Sequence, residues 1–181
     1  MTPLIQGPRL RLYPFGERDA EGFMAMNADP EVLRHTGDRP FASLAETRAF
    51  LRAYDQYRLN GVGRWSMYTR DGDYAGFCGL RRAEGEVDLG YRLPRALWGQ
   101  GLATEASALA LSLGFEQYGL ESVIGRARLA NPGSIRVLEK LGMSEESRFV
   151  EEGHHWVCYR IQRAQWQAHP LSRLGRHNST D

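Results

Sequence analysis

Polar and apolar residues alternate from Arg9 to Tyr13 around Leu10 and Leu12, the period-two signature of a strand, and Pro14 closes the run. The period then changes. Across residues 19–28, Ala20, Phe23, Met24 and Asn27 share one face, which predicts a helix. A second helix is predicted from the capping box of Ser43 and Glu46. It continues through Phe50, Leu51, Tyr54, Tyr57 and Arg58 and stops at Asn60-Gly61. Period-two runs return over residues 64–69 and 74–80, joined at the turn Asp71-Gly72-Asp73, and again over 87–93. Residues 104–118 read as a helix with Ala106, Leu109, Ala110 and Leu113 on one face. A strand over 122–129 follows, then a short helix over 132–140 with Pro132 in its first turn and Gly142 past its end. A closing hairpin pairs 149–151 with 156–161 across Gly153. The order predicts an α/β domain with a mixed sheet over residues 1–168 and a polar, aperiodic, mobile tail over 169–181.

Composition narrows the class without naming a chemistry. The 181 residues fit one domain, and 42% hydrophobic with 25% charged residues is ordinary for a globular protein. A formal net charge of +1 gives no electrostatic case for nucleic acid or an anionic membrane surface. No apolar run reaches the length of a membrane span, and the first residues lack the layout of a signal peptide. Cys78 and Cys158 are the only cysteines, each in an apolar strand-like run. Buried free thiols in a reducing, cytoplasmic setting are the expectation, with a disulfide between them left open.

The segment between the strand over 87–93 and the helix that follows is Leu97-Trp98-Gly99-Gln100-Gly101-Leu102-Ala103-Thr104-Glu105-Ala106. A glycine-containing loop that runs into a helix presents unpaired N–H groups and the positive end of the helix dipole, a setting suited to a phosphate. Alone, the pattern also fits a plain strand-to-helix turn. A Walker A loop is excluded by the missing lysine. A dinucleotide-binding fingerprint lacks its third glycine, and the loop lies mid-chain after an antiparallel run.

A second segment, Asn131-Pro132-Gly133-Ser134-Ile135-Arg136-Val137-Leu138-Glu139-Lys140-Leu141-Gly142-Met143, begins about 30 residues downstream. Together with Gly90-Tyr91-Arg92-Leu93, the glycine loop, Leu10-Arg11-Leu12 and the ending Tyr159-x-Ile161-x-Arg163-x-x-Trp166, it makes the chain resemble the GNAT superfamily of acyl-coenzyme-A-dependent N-acetyltransferases. The resemblance spans nearly the whole chain and is nearest the branch that acetylates ribosomal-protein N-termini. It implies a single-domain GNAT fold, with a mixed, mostly antiparallel, splayed sheet flanked by helices, and acetyl-coenzyme A as cofactor. Tyr91, Arg92 and Leu93 would offer backbone groups to the pantetheine arm. Trp98, Gly99, Gln100, Gly101, Leu102, Ala103 and Thr104 would surround the pyrophosphate. Asn131 would bond the arm, and Ser134 would lie near the thiol. The chain departs from the family where Trp98 replaces a frequent Gln or Arg. It departs again where Leu138 replaces the tyrosine that reprotonates the leaving thiolate, which makes Ser134 the next candidate.

Acetyl transfer needs a neutral amine, an oxyanion donor and modest help for the thiolate, with no metal and no covalent enzyme intermediate. A peptide α-amine, pKa roughly 7.7–8.0, is about a tenth neutral near pH 7, whereas a lysine amine near 10.4 is neutral roughly once in a few thousand. No unambiguous strong base is visible, which favours α-amines such as a protein N-terminus. Glu86 and Asp88 are the carboxylate candidates, set against solvated strand-edge roles. His35, in Leu33-Arg34-His35-Thr36-Gly37, is a candidate base or substrate contact. Tyr54, Tyr57, Trp65 and Tyr68 form an aromatic group read as core or, for Tyr54 and Trp65, as acceptor-cleft wall. Cys78 is weighed as an acyl carrier against core packing, which its strand setting favours. His154 and His155 alternate faces and do not make a metal pair. The remaining alternatives are a small-molecule acetyltransferase acting on an antibiotic, polyamine or amino-acid-like amine, and a non-catalytic acyl-coenzyme-A-binding module. Monomer and homodimer are both allowed.

Overall fold

The computed structural model describes residues 1–175. One eight-stranded sheet carries the order β1-β2-β3-β4-β5-β6-β8-β7. Its strands are β1 (Ile5–Gln6), β2 (Leu10–Pro14), β3 (Arg64–Thr69), β4 (Tyr74–Ala83), β5 (Glu86–Arg92), β6 (Ser122–Arg128), β7 (Ser144–Glu151) and β8 (His154–Gln162). Every neighbouring pair is antiparallel except β5 and β6. That one parallel pair forces a crossover, supplied by α5 (Leu102–Ser112) and a π-turn over Leu113–Gln117.

Helices cover both faces. Adjacent residues of β4 show the division: Cys78 enters the main core with Leu109 and Leu113 on one side, and Phe77 packs with Phe23 and Leu51 on the other. The first side also holds α6 (Pro132–Lys140) and α7 (Arg163–Ala168) through Leu138 and Trp166. The second is covered by α1 (Ala20–Asn27), the single turn α2 (Pro30–Leu33) and α3 (Leu44–Ala53).

The predicted second helix is two. Tyr54 adopts an extended backbone (φ −67°, ψ 114°), and α4 (Gln56–Asn60) resumes after it. The break lets both phenols reach the start of β3. Tyr54 Oη accepts from the Arg64 amide at 2.7 Å, and Tyr57 Oη accepts from the Phe15 amide at 3.0 Å and donates to the Arg64 carbonyl. The predicted helix over 104–118 begins at Leu102, and the closing hairpin is longer on both strands than its sequence signal.

The expected mobile tail needs correction over its described part. Residues 170–173 form a 3-10 turn, Leu171 and Leu174 pack against the main core, and His169 stacks on Trp166 with ring centroids 5.6 Å apart. Residues 176–181 lie outside the described residues. Cys78 and Cys158 are free, buried thiols.

Candidate functional site

β5 ends at Arg92, a 3-10 turn follows over Arg95–Leu97, and the chain then passes Gly99 and Gly101 at φ 75° and 78°. Gly101 is the left-handed N-cap of α5, a conformation that costs other residues energy. The first helical hydrogen bond runs from the Glu105 amide to the Gly101 carbonyl at 3.2 Å. The amides of Leu102, Ala103 and Thr104 therefore lack helical acceptors and point out of the N-terminus with the helix dipole behind them. A Cβ built on Gly99 would meet nothing within 4 Å, so the surface beside the loop is open to an anion.

Glu105, which follows, is a structural tie. Its buried carboxylate accepts from the Arg9 amide, the Leu10 amide and Arg9 Nε, each at 2.9 Å. Arg9 Nη1 also donates to the Gln100 carbonyl at 2.6 Å. The Gln100 carbonyl is thus taken by Arg9, its side chain donates to the Ala96 carbonyl at 3.2 Å, and it does not line the neighbouring cavity, which corrects its expected place among the pyrophosphate contacts.

That cavity has a volume of about 670 Å³ and opens between β5 and β6. The two strands pair only at Asp88↔Ile124 and Leu89↔Gly125 and then diverge. Beyond Leu89, the β5 edge that faces β6 has no strand beside it. Tyr91, Arg92, Leu93, Trp98 and the loop from Gly101 to Thr104 line one wall. Asn131, Ser134 and Leu138 line the other. Trp98 Nε1 donates to the Leu93 carbonyl at 2.9 Å, so this indole holds the end of the splayed strand. Asn131 Oδ1 caps α6 by accepting from the Ser134 amide at 3.3 Å, leaving its NH₂ group for a ligand. These features fit a long, phosphorylated donor with an arm that hydrogen-bonds in the manner of a strand.

Across the cleft, Tyr91 Oη donates to Ser134 Oγ at 3.1 Å. Burial pushes the Tyr91 hydroxyl up to about 12, against the smaller opposing effect of Ser134. Leu138 is 2% exposed and packs on Gly125, so it supplies shape and no proton.

The other face of β5 carries a different chemistry. Asp88 is 7% exposed and bonded to Arg64 Nη2 at 2.9 Å and Arg126 Nη2 at 2.8 Å, with Arg81 at 3.6 Å. Burial alone would raise its pKa, yet Arg64, Arg126 and Arg81 together hold it below the usual carboxylate value. Glu86 is clamped by both Nη atoms of Arg160, at 3.0 and 2.7 Å, and that pairing lowers its pKa as well. Neither carboxylate lines the cavity, and both are fixed as anions, so the expectation that they serve as bases is corrected. Trp65 is corrected too: it is 1% exposed and stacks on Tyr118. Tyr54 anchors β3 and lies outside the cavity lining. The Arg92 side chain crosses to the α1 side, bonding Asn27 Oδ1 at 3.0 Å and Asp38 Oδ2 at 2.6 Å, so only its backbone faces the donor wall. Cys78 is wholly buried, and burial pushes its thiol up to about 12, far from a nucleophilic thiolate. Among the described residues, no His, Cys, Asp and Glu cluster could hold a metal.

His35 does line the cavity. Partial burial first, then Arg34 and Arg128, lower its pKa and favour the neutral ring. Its loop is placed by Asp29, which caps α2 and forms a bidentate pair with Arg95 just past β5. Sequence reasoning missed Arg34, Arg128 and Trp156, which line the same end of the cavity. Arg34 stood in the quoted histidine loop, but β6 and β8 bring Arg128 and Trp156 together only through their pairing, which no local signal announces.

A family model for the acetyltransferase (GNAT) domain matches residues 9–144. An uncharacterized N-acetyltransferase of Bacillus licheniformis is 28% identical over 143 residues, which is 76% of this chain and 80% of that protein. A GNAT-family acetyltransferase from Bacillus anthracis superposes with a TM-score of 0.78 at 22% identity, covering 88% of this chain and 98% of that one. A spermidine N-acetyltransferase from Vibrio cholerae, solved with CoA and spermine, superposes with a TM-score of 0.76 at 17% identity over 87% of this chain and 98% of that one.

Proposed function

The chain belongs to the GNAT acetyltransferase family and uses acetyl-coenzyme A as its acyl donor, and from that premise we propose that it acetylates an α-amine by direct attack. The donor's pyrophosphate rests on the amides at the start of α5, with Gly99 and Gly101 allowing close approach. Its arm runs along the free edge of Tyr91, Arg92 and Leu93 and bonds Asn131. In this reading the thioester lies where β5 and β6 part.

The observation that carries the acceptor class is the base. Among the described residues, His35 is the cavity group favoured as neutral and free of an ion pair, and its pKa lies below the ordinary histidine value. Such a base suits an amine that is already a tenth neutral. A lysine amine would start with a deficit of roughly 4–5 kcal/mol. A protein N-terminus, the acceptor of the ribosomal-protein branch that the motifs resemble, meets this requirement, as does a free amino-acid-like amine. The amine attacks the thioester carbon, the C–S bond breaks, and the amine's surplus proton leaves through His35 or water. Ser134 donates its proton to the departing sulfur and recovers one from Tyr91, which regains its own from water; this is the role Leu138 leaves vacant.

The test is thiol release from acetyl-coenzyme A with two peptides, one offering only its α-amine and one only a lysine ε-amine. Release at least tenfold faster with the α-amine supports the proposal. Equal rates, or faster ε-amine transfer, reject it.

A further inference from the structure

The acceptor end of the cavity is cationic in a way that donor phosphates do not account for. Six basic side chains line the whole cavity, against one carboxylate, Glu31. Arg92 and Arg126 are already paired with Asp38 and Asp88. Arg128 has no carboxylate partner among the described residues. It lies over the Trp156 ring, with its guanidinium carbon 5.4 Å from the centroid. The two residues are register partners on β6 and β8, so they share a face of the sheet, and Phe149 stacks behind Trp156 at 6.1 Å.

Both present a buried donor with nothing to bond. Arg128 Nε and Trp156 Nε1 are shielded from solvent and have no hydrogen-bond partner. Two orphaned N–H groups side by side are costly unless a ligand satisfies them. Arg128 alternates in face with Gly125 and Ala127, which face α6 and the main core, so its side chain belongs to the acceptor side, near His35 and Arg34.

We propose that the acceptor amine carries a carboxylate and that Arg128 and Trp156 bind it. This inference rests on the acetyl-transfer reading and adds the acceptor's second functional group. A planar guanidinium edge beside an indole N–H matches two carboxylate oxygens. The same cluster disfavours a polyamine, because the one carboxylate lining this end, Glu31, is already paired with Arg34 at 3.8 Å.

The carboxylate has two sources, the α-carboxylate of a free amino acid or an acidic side chain near a peptide N-terminus. The experiment compares rates of thiol release for each source. One pair is a free amino acid and its α-amide; the other is two peptides that begin with Glu or with Gln. A preference of about tenfold or more for the acid in either pair is expected, and the pair that shows it identifies the source. Arg128→Met should abolish that preference while the Kd for acetyl-coenzyme A stays unchanged. Trp156→Phe keeps the ring under Arg128, removes the N–H and should reduce the preference in part. Equal rates for acid and amide in both pairs, with turnover intact, overturn the carboxylate inference and leave acetyl transfer standing. Fastest transfer to spermidine overturns it too. Arg128→Met weakening acetyl-coenzyme A binding instead would assign the cation to the donor and also overturn it. Absence of turnover on every amine, with acetyl-coenzyme A bound, fails the transfer reading and the inference with it.

Discussion

Tyr91 shows how a residue's role depends on where its hydroxyl ends. The sequence motif pointed to its backbone, and the Tyr91–Ser134 hydrogen bond, the proposed proton source, is announced by no spacing rule, because the partners lie 43 residues apart. Ser134→Ala and Tyr91→Phe should each lower kcat about 10- to 100-fold with little change in KM for acetyl-coenzyme A, as measured by steady-state thiol release. A pH profile separates a chemical role from a packing one. The relay works in its protonated form, and burial keeps Tyr91 protonated up to about 12. The rate should therefore rise as the acceptor amine loses its proton and show no fall through about pH 10. Asp88 illustrates the opposite outcome. Its strand position suggested chemistry, but three guanidiniums hold it as an anion. Asp88→Asn would strand Arg64 and Arg126 as partly buried cations and should lower unfolding stability by about 3–5 kcal/mol in a denaturant titration. Because the folded pKa lies below the unfolded one, Asp88's own contribution is present above about pH 4 and fades as the pH falls through the folded value.

Elements with a local cause were legible. The α6 bounds follow from Asn131, Pro132 and Gly142, and the β3–β4 hairpin from its Asp-Gly turn. Elements with a distant cause were not. The break at Tyr54 serves contacts with β3, and the short α2 depends on Asp29 and Arg95 across the fold. The glycine loop is a local device, and the donor role proposed for it rests on two backbone angles, at Gly99 and Gly101. Gly101→Glu forces a side chain onto φ 78° and puts a negative charge at the phosphate cradle. Calorimetry should show acetyl-coenzyme A affinity falling by about 100-fold or more. Retained affinity would remove the loop from the site. The splay of β5 from β6 is set by tertiary packing, and sequence reached it only through family resemblance.

At the scale of the whole molecule, Glu105 joins the functional loop to the far end of the sheet. The N-terminus of α5 is held by the turn before β2, so the donor site and the first strands are one mechanical unit. Glu105→Ala leaves two backbone amides and Arg9 without their acceptor, and a loss of about 2–4 kcal/mol in unfolding stability is expected, with weaker acetyl-coenzyme A binding alongside it. The sheet also separates the two halves of the proposed site. One face of the β5–β6 gap carries the glycine loop and the Tyr91–Ser134 pair; the other carries His35, Arg128 and Trp156, so in the proposed reaction the amine and the thioester approach from opposite sides. The most direct measurement gives the enzyme both kinds of amine in one molecule. A short peptide with an acidic first residue, a free N-terminus and one internal lysine is incubated with acetyl-coenzyme A, and fragment-ion mass spectrometry locates the acetyl group. Acetylation is expected at the α-nitrogen. Acetylation confined to the lysine, or none at either amine, would contradict it.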